Sequence, residues 1–204
     1  LVKKADIPRH IVATAIGLAA TQGWRDTTLG DIAAAAKLTL AEVHGHYRSK
    51  AAILAAFSRQ IDAAVLAGDD PELADQPTAD RLFDVLMRRF DALDPHKAGV
   101  RAIIGDSLGD PLALVAGACA LERSMTWMLA AARVDASGLG GSLRVKGLAA
   151  IYLAVLRVWL ADETDDMAAT MAVLDKRLRQ VDAALAALGR LPCPGRARRA
   201  TESV

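Results

Sequence analysis

Residues 11–57 read IVATAIGLAATQGWRDTTLGDIAAAAKLTLAEVHGHYRSKAAILAAF, and the fold of the chain is decided there. Ile11, Ala15, Leu18 and Ala19 recur at helical spacing until Gly23 and Trp24 interrupt them, so the pattern predicts an amphipathic helix over Pro8–Gln22 with proline in its first turn. Two short helices follow, each opened by its own capping box. Thr28 stands three residues before Asp31, and Thr39 three before Glu42; in each pair the hydroxyl accepts from a backbone amide while the acid reaches back. Leu29, Ile32 and Ala33 on one helix, with Val43 and Tyr47 on the other, supply faces to pack on the first. Ala33 to Ala36 are small enough for a close helix crossing.

Helix amino-termini carry unsatisfied N–H groups and partial positive charge. Thr28, Thr39 and the turn at Ser49 and Lys50 are therefore candidate grips for phosphate oxygens, and Lys50 adds a full charge. The outer side of the helix over Leu40–Tyr47 carries Leu40, Ala41, His44 and Gly45, a row slim enough for a major groove about 12 Å wide. Three capped helices also occur in bundles that never meet DNA.

The stretch TTLGDIAAAAKLTLAEVHGHYRSKAAILAAF resembles the DNA-binding domain of TetR-type repressors, with Thr27, Thr28, Ile32, Ala33, Thr39, Val43, His46, Tyr47, Ser49 and Lys50 at matching positions. The resemblance covers roughly the first quarter of the chain. It implies an all-α, TetR-like fold: a three-helix head with a helix-turn-helix, followed by a larger helical domain for ligand binding and dimerisation. It also implies a homodimer on double-stranded DNA. Thr28, Thr39, His44 and Lys50 would contact phosphates; Leu40, Ala41 and Gly45 would face bases; His46 and Tyr47 complete the contact set, with an arm at Lys3, Lys4 and Arg9. The chain departs from the pattern at three places. Lys37 stands at a turn position where the family usually has glycine, His44 replaces a tyrosine, and Gly45 lies inside the reading helix. No Arg, Asn or Gln stands on the reading face, which leaves thymine methyls, the arm and DNA shape to supply specificity.

Charge follows this division. Residues 1–60 hold eight Lys or Arg against four acids, whereas 61–188 hold thirteen against nineteen. The basic end coincides with the helix-turn-helix, as phosphate binding requires. A 204-residue, half-apolar chain is long enough for a sizeable core. Cys119 and Cys193 form no disulfide framework, which points to a reduced, cytoplasmic setting. Apolar stretches such as Gly147–Leu156 fall short of the roughly 20 residues of a membrane span, so no span is expected. Nor is an enzyme, a cofactor or a metal site: His10, His44, His46 and His96 lack ligand spacing, and neither a nucleophile elbow nor a phosphate-cradling glycine loop is visible.

The remaining pattern is helical. Helices are predicted over Ala51–Leu66, Ala79–Leu93, Pro95–Leu108, Pro111–Val134, Leu143–Ala161 and Asp166–Leu188, with a connecting hinge at Gly68–Pro77 and a glycine-rich turn at Gly138–Gly141. The expected domains are 1–50 for DNA, 51–188 for ligand and dimerisation, and 189–204 as a flexible basic tail. The last two helices have more apolar surface than one face needs, and TetR-like dimers use two such helices from each subunit. Ile151, Val155, Trp159, Met171, Leu174 and Leu178 are the candidate interface; central helices of a monomer are the alternative.

Residues Arg144–Leu178, RVKGLAAIYLAVLRVWLADETDDMAATMAVLDKRL, are also similar to lipid-binding accessory proteins of ubiquinone biosynthesis, which share the TetR fold but lack a working DNA-binding head. That resemblance implies an apolar, lipid-like ligand. Phe83, Met87, Phe90, Ile103, Ile104, Leu108, Met125 and Met128 are candidate pocket residues, and Glu122 a candidate for orienting a polar head. The reading that results is a ligand-responsive repressor on a palindromic operator, released by a small apolar ligand. The alternative is a lipid-binding accessory protein with a vestigial head.

Overall fold

The computed structural model describes residues 6–68, 74–164 and 166–189, the last five as backbone only. Lys3 and Lys4, part of the connector and the basic tail beyond 189 lie outside the described residues. The head contains α1 (Ile7–Gln22), α2 (Leu29–Ala36) and α3 (Leu40–His46). The long α4 (Lys50–Ala67) leads into α5 (Thr78–Leu93), a 3-10 turn at Asp94–His96, α6 (Lys97–Ser107), α7 (Pro111–Ala131), α8 (Gly138–Ala161) and α9 (Ala168–Gly189). The architecture is all-α, as the sequence predicts.

Two expected boundaries shift. The helix expected over Pro95–Leu108 splits, its proline initiating the 3-10 turn before α6. The glycine-rich segment Gly138–Gly141, expected as a turn, is the first turn of α8. Gly141 is needed there because a Cβ at that position would collide with the Ala136 backbone.

Apolar side chains separate into two cores. Ile11, Ile16, Ile32, Val43 and Ile53 fill the head, while Leu86, Phe90, Met125, Met128, Trp159 and Leu174 fill the body. The division falls within α4: Ile53 and Ala56 belong to the head core, Ile61 and Val65 to the body core, and Phe57 packs on both.

A second brace is α6. Among the described residues it packs more extensively on α1 than any other pair of helices pack together. Gly99 makes this possible, since a Cβ there would overlap the Ile16 carbonyl. Beyond it Ile103 joins the head core, and the Arg25 amide donates to Asp106 Oδ2 at 2.8 Å. On the body side, Lys97 and Arg101 donate to the Asp162 and Leu160 carbonyls at the end of α8. These cations satisfy carbonyls that a helix end leaves free.

Candidate nucleic-acid interface and the interior of the body

Both capping boxes form. The Thr28 amide donates to Asp31 Oδ2 at 2.8 Å while its hydroxyl accepts from the Asp31 amide at 3.1 Å. At α3 the Thr39 amide donates to Glu42 Oε2 at 2.7 Å, and its hydroxyl accepts from the Glu42 amide at 3.2 Å. Hydrogen bonds from the Thr28 side chain and backbone hold the Asp31 carboxyl below its usual range. The Thr39 backbone and hydroxyl do the same for Glu42. Ser49 caps α4 by accepting from the Ala52 amide at 3.1 Å.

Between α2 and α3 the chain turns through Lys37 in the left-handed region, φ 56° and ψ 41°. The Lys37 amide donates to Ala34 O at 3.1 Å and the Leu38 amide to Ala33 O at 2.9 Å, the bond pair of a Schellman turn. Lysine thus adopts the backbone that glycine would supply more readily. His10 Nε2 lies 3.1 Å from the Ala36 carbonyl, so this histidine fastens α1 to the end of α2.

The structure exposes Arg9, Thr28, Thr39, Leu40, Ala41, His44, Gly45 and His46. Leu40 is 56% exposed at the start of α3. Two residues of the expected contact set are placed differently. Tyr47 is buried in the head core with its hydroxyl donating to Pro8 O at 3.3 Å, so its ring serves packing. Lys50 bends back across the head. Its ammonium donates to the Trp24 carbonyl and, at 3.3 Å, to that of Arg25, and sits 4.6 Å from the Trp24 ring centre. Partial burial pushes its pKa down. The orphan carbonyls after α1 capture this cation, a pairing that local sequence does not reveal.

The expected ligand residues are dispersed. Phe90, Met125 and Met128 are fully buried in the body core, and Phe83, Met87 and Ile104 pack on it half-buried. Ile103 belongs to the head core instead. Leu108 is 68% exposed. Glu122 is exposed as well, on the wall of an open groove of about 320 Å³ between α7 and α8 that also carries Cys119, Arg123, Ser142 and Lys146.

The expected dimer face is corrected more sharply. Val155, Trp159 and Leu174 are 0% exposed within a single chain and Leu178 only 5%, so these residues hold α8 and α9 against their own body. Ile151 and Met171 are half-buried. The outer apolar surface is a different set: Leu139 at 89%, Leu143 at 73% and Leu153 at 49% on α8, and Val181 at 43% on α9. Helices apolar on two faces do not announce which face turns inward. The first half of α7 is also bare, with Leu112 78% and Val115 62% exposed. By length and composition alone α7 is apolar enough to cross a membrane, but Ser124, Met125, Met128 and Leu129 in its second half are buried in the body.

Sequence reading missed a polar cluster in the body's centre. The Arg89 guanidinium on α5 pairs with Asp62 of α4, Ser124 of α7 donates to the other Asp62 oxygen at 2.9 Å, and the Ser58 hydroxyl lies 3.1 Å from that of Ser124. Arg89 sits 5.5 Å from the Tyr152 ring centre, and Tyr152 stacks on Phe90 at 5.2 Å. Arg89 and Asp62 are 27 positions apart, beyond the reach of any periodicity signal.

Comparison with known proteins agrees with this geometry. Residues 11–57 match the family described as bacterial regulatory proteins, tetR family, and residues 144–184 match the COQ9 family. A TetR transcriptional regulator from Nitrosomonas europaea is similar in structure, with 25% identity and a TM-score of 0.72 over 86% of this chain and 98% of that one. A TetR regulator from Rhodococcus sp. RHA1 has 17% identity and a TM-score of 0.63 over 88% and 97% of the two chains. Thermus thermophilus FadR, a TetR-family repressor solved with lauroyl-CoA, has 19% identity and a TM-score of 0.52 over 96% and 100%. No curated protein matches the chain. The chain has the TetR-family regulator fold, with a tetR-family head and a COQ9-like segment spanning most of α8 and α9.

Proposed function

We propose that the protein is a ligand-responsive transcriptional repressor that binds a palindromic operator as a homodimer in the cytoplasm and leaves it when a small apolar ligand occupies the body. The observation that carries this reading is the doubly capped pair α2 and α3, which presents Leu40, Ala41, His44 and Gly45 outward within the segment matching the tetR family. The exposed leucines of α8 with Val181 of α9 fit a subunit interface. Two reading helices would then enter successive major grooves about 34–36 Å apart, and α4 with α6 would pass a shift in the body to that spacing. FadR, bound to an acyl-CoA, supports an acyl-type ligand.

The lipid-binding accessory protein remains a second reading. It is favoured by the COQ9-like segment and by Lys50, whose charge is spent inside the head. Fluorescence anisotropy with DNA from around the protein's own gene, at defined salt, separates the two. Tight binding to a palindrome over unrelated DNA at physiological salt is the expected result; weak, sequence-independent binding at every salt concentration would overturn the repressor.

A further inference from the structure

With Lys50 turned into the head, the DNA-reading surface lacks the cation that the start of α4 would supply. The Lys50 ammonium donates to the Trp24 and Arg25 carbonyls, so a phosphate would have to draw it off acceptors it already holds. Other cations of this region stand elsewhere. The Arg25 guanidinium borders Gly109 at the junction with the body, and Arg9 and Arg59 belong to α1 and α4. Two cations flank the reading helix directly. Lys37 lies in the turn before α3, two residues ahead of the N-cap Thr39, and Arg48 follows the C-cap Tyr47. Both are exposed, and neither takes part in an ion pair among the described residues.

The backbone at Lys37 is a second, independent observation. Its φ of 56° and ψ of 41° suit glycine and are costly for a residue with a side chain. The turn is closed by the Lys37 and Leu38 amides, which glycine at this position would supply equally well. Strain kept for a side chain that does not build the turn points to a use of that side chain outside the protein. The nearest acids are already engaged. Asp31 and Glu42 each accept from the amide and the hydroxyl of their own threonine. The seven residues of α3 make a helix about 10 Å long. Long side chains anchored just beyond its two ends can therefore reach the phosphates that border a groove about 12 Å wide. Arginine offers a phosphate a two-pronged donor, and lysine a compact charge.

We infer that Lys37 and Arg48 form a phosphate clamp at the two ends of α3, each binding the DNA backbone, and that together they take the role from which Lys50 is withdrawn. This rests on the reading of α2 and α3 as a DNA-binding pair. Phosphate contacts fix the position of a reading helix without reading sequence. Such positioning suits a helix whose outer face, Leu40, Ala41, His44 and Gly45, includes no Arg, Asn or Gln.

The test is fluorescence anisotropy of the whole chain over a salt series, with two duplexes of equal length: DNA from around the protein's own gene and an unrelated sequence. Each phosphate contact adds about 0.9 to the steepness of log K against log salt. Lys37→Gly and Arg48→Gln each flatten that slope on both duplexes, by about 1 per subunit bound, and weaken binding by about tenfold. Lys50→Met keeps the natural slope. Because glycine suits the turn, Lys37→Gly loses DNA affinity while melting no lower than the natural chain, a combination that a merely structural lysine does not give. A natural slope in either Lys37→Gly or Arg48→Gln overturns the clamp, even where Lys50→Met does not fold. A slope flattened by Lys50→Met as much as by Arg48→Gln overturns it too. The repressor is judged separately by the preference for a palindrome. Flattened slopes on both duplexes without that preference remove the repressor alone, the preference with unchanged slopes removes the clamp alone, and an absence of DNA binding removes both.

Discussion

Lys50 illustrates how much a single side chain's surroundings change its meaning. At the start of a capped helix it has the position of a phosphate contact, yet its ammonium satisfies the carbonyls of Trp24 and Arg25. Lys50→Met is therefore expected to destabilise the head in the absence of DNA, by about 1 kcal/mol for a half-buried charged donor. Urea denaturation of the DNA-free protein measures it, and an unchanged midpoint would return Lys50 to the surface. Lys37 carries the opposite expectation. Its left-handed backbone costs an L-residue about 1 kcal/mol, so Lys37→Gly raises stability by up to that amount in the same assay. The unusual turn was visible in the sequence, because lysine stands where the family has glycine. The inward swing of Lys50 was not, since its acceptors lie about 25 positions away in the chain.

Among elements, the short helices of the head were the most legible, because caps act over three residues. Thr39→Ala is expected to cost about 1 kcal/mol in unfolding free energy, with helicity lost first in α3. The acids of the two boxes add a pH dependence. Folding lowers the Asp31 and Glu42 pKa values, so their stabilisation is fully present above the unfolded-state values near 4 and lost as pH falls through the lower folded values. Amide exchange at Thr28 and Thr39, whose N–H groups donate to these carboxylates, should accelerate as pH falls through that window, beyond the change in intrinsic rate. The outer helices were legible in extent but not in orientation. Leu174→Ala, a cavity in the chain's own core, should cost about 2–5 kcal/mol. Leu143→Glu instead leaves the fold intact and, where α8 forms the subunit interface, shifts the sedimenting species from dimer to monomer. Leu143 and Leu174 both stand in apolar helical sequence; burial tells them apart, 73% exposed against 0%.

At the scale of the whole molecule, head and body are joined twice, by α4 through Phe57 and by α6 through Gly99, Ile103 and Asp106. The connector expected to act as a hinge, Gly68–Pro77, instead follows α4 and leads to α5, both of which enter the body core, so it is neither of these joins. Gly99→Val should wedge α6 away from Ile16, lowering stability by about 1–3 kcal/mol and weakening DNA binding in gel-shift titrations while leaving α3 capped. A sequence with no strand signal and clear helix starts gave up its class readily. Close approach at one glycine could not be read, because a glycine in a helix has several uses. The shared contacts also bear on cooperativity. A head cut away after Phe57 would leave the flank of α1 open to water where Gly99 and Ile103 now lie, so the head's hydrophobic burial is partly lent by the body. The two cores should therefore melt in one calorimetric transition, and a ligand that tightens the body would raise the melting temperature of the DNA-reading helices with it.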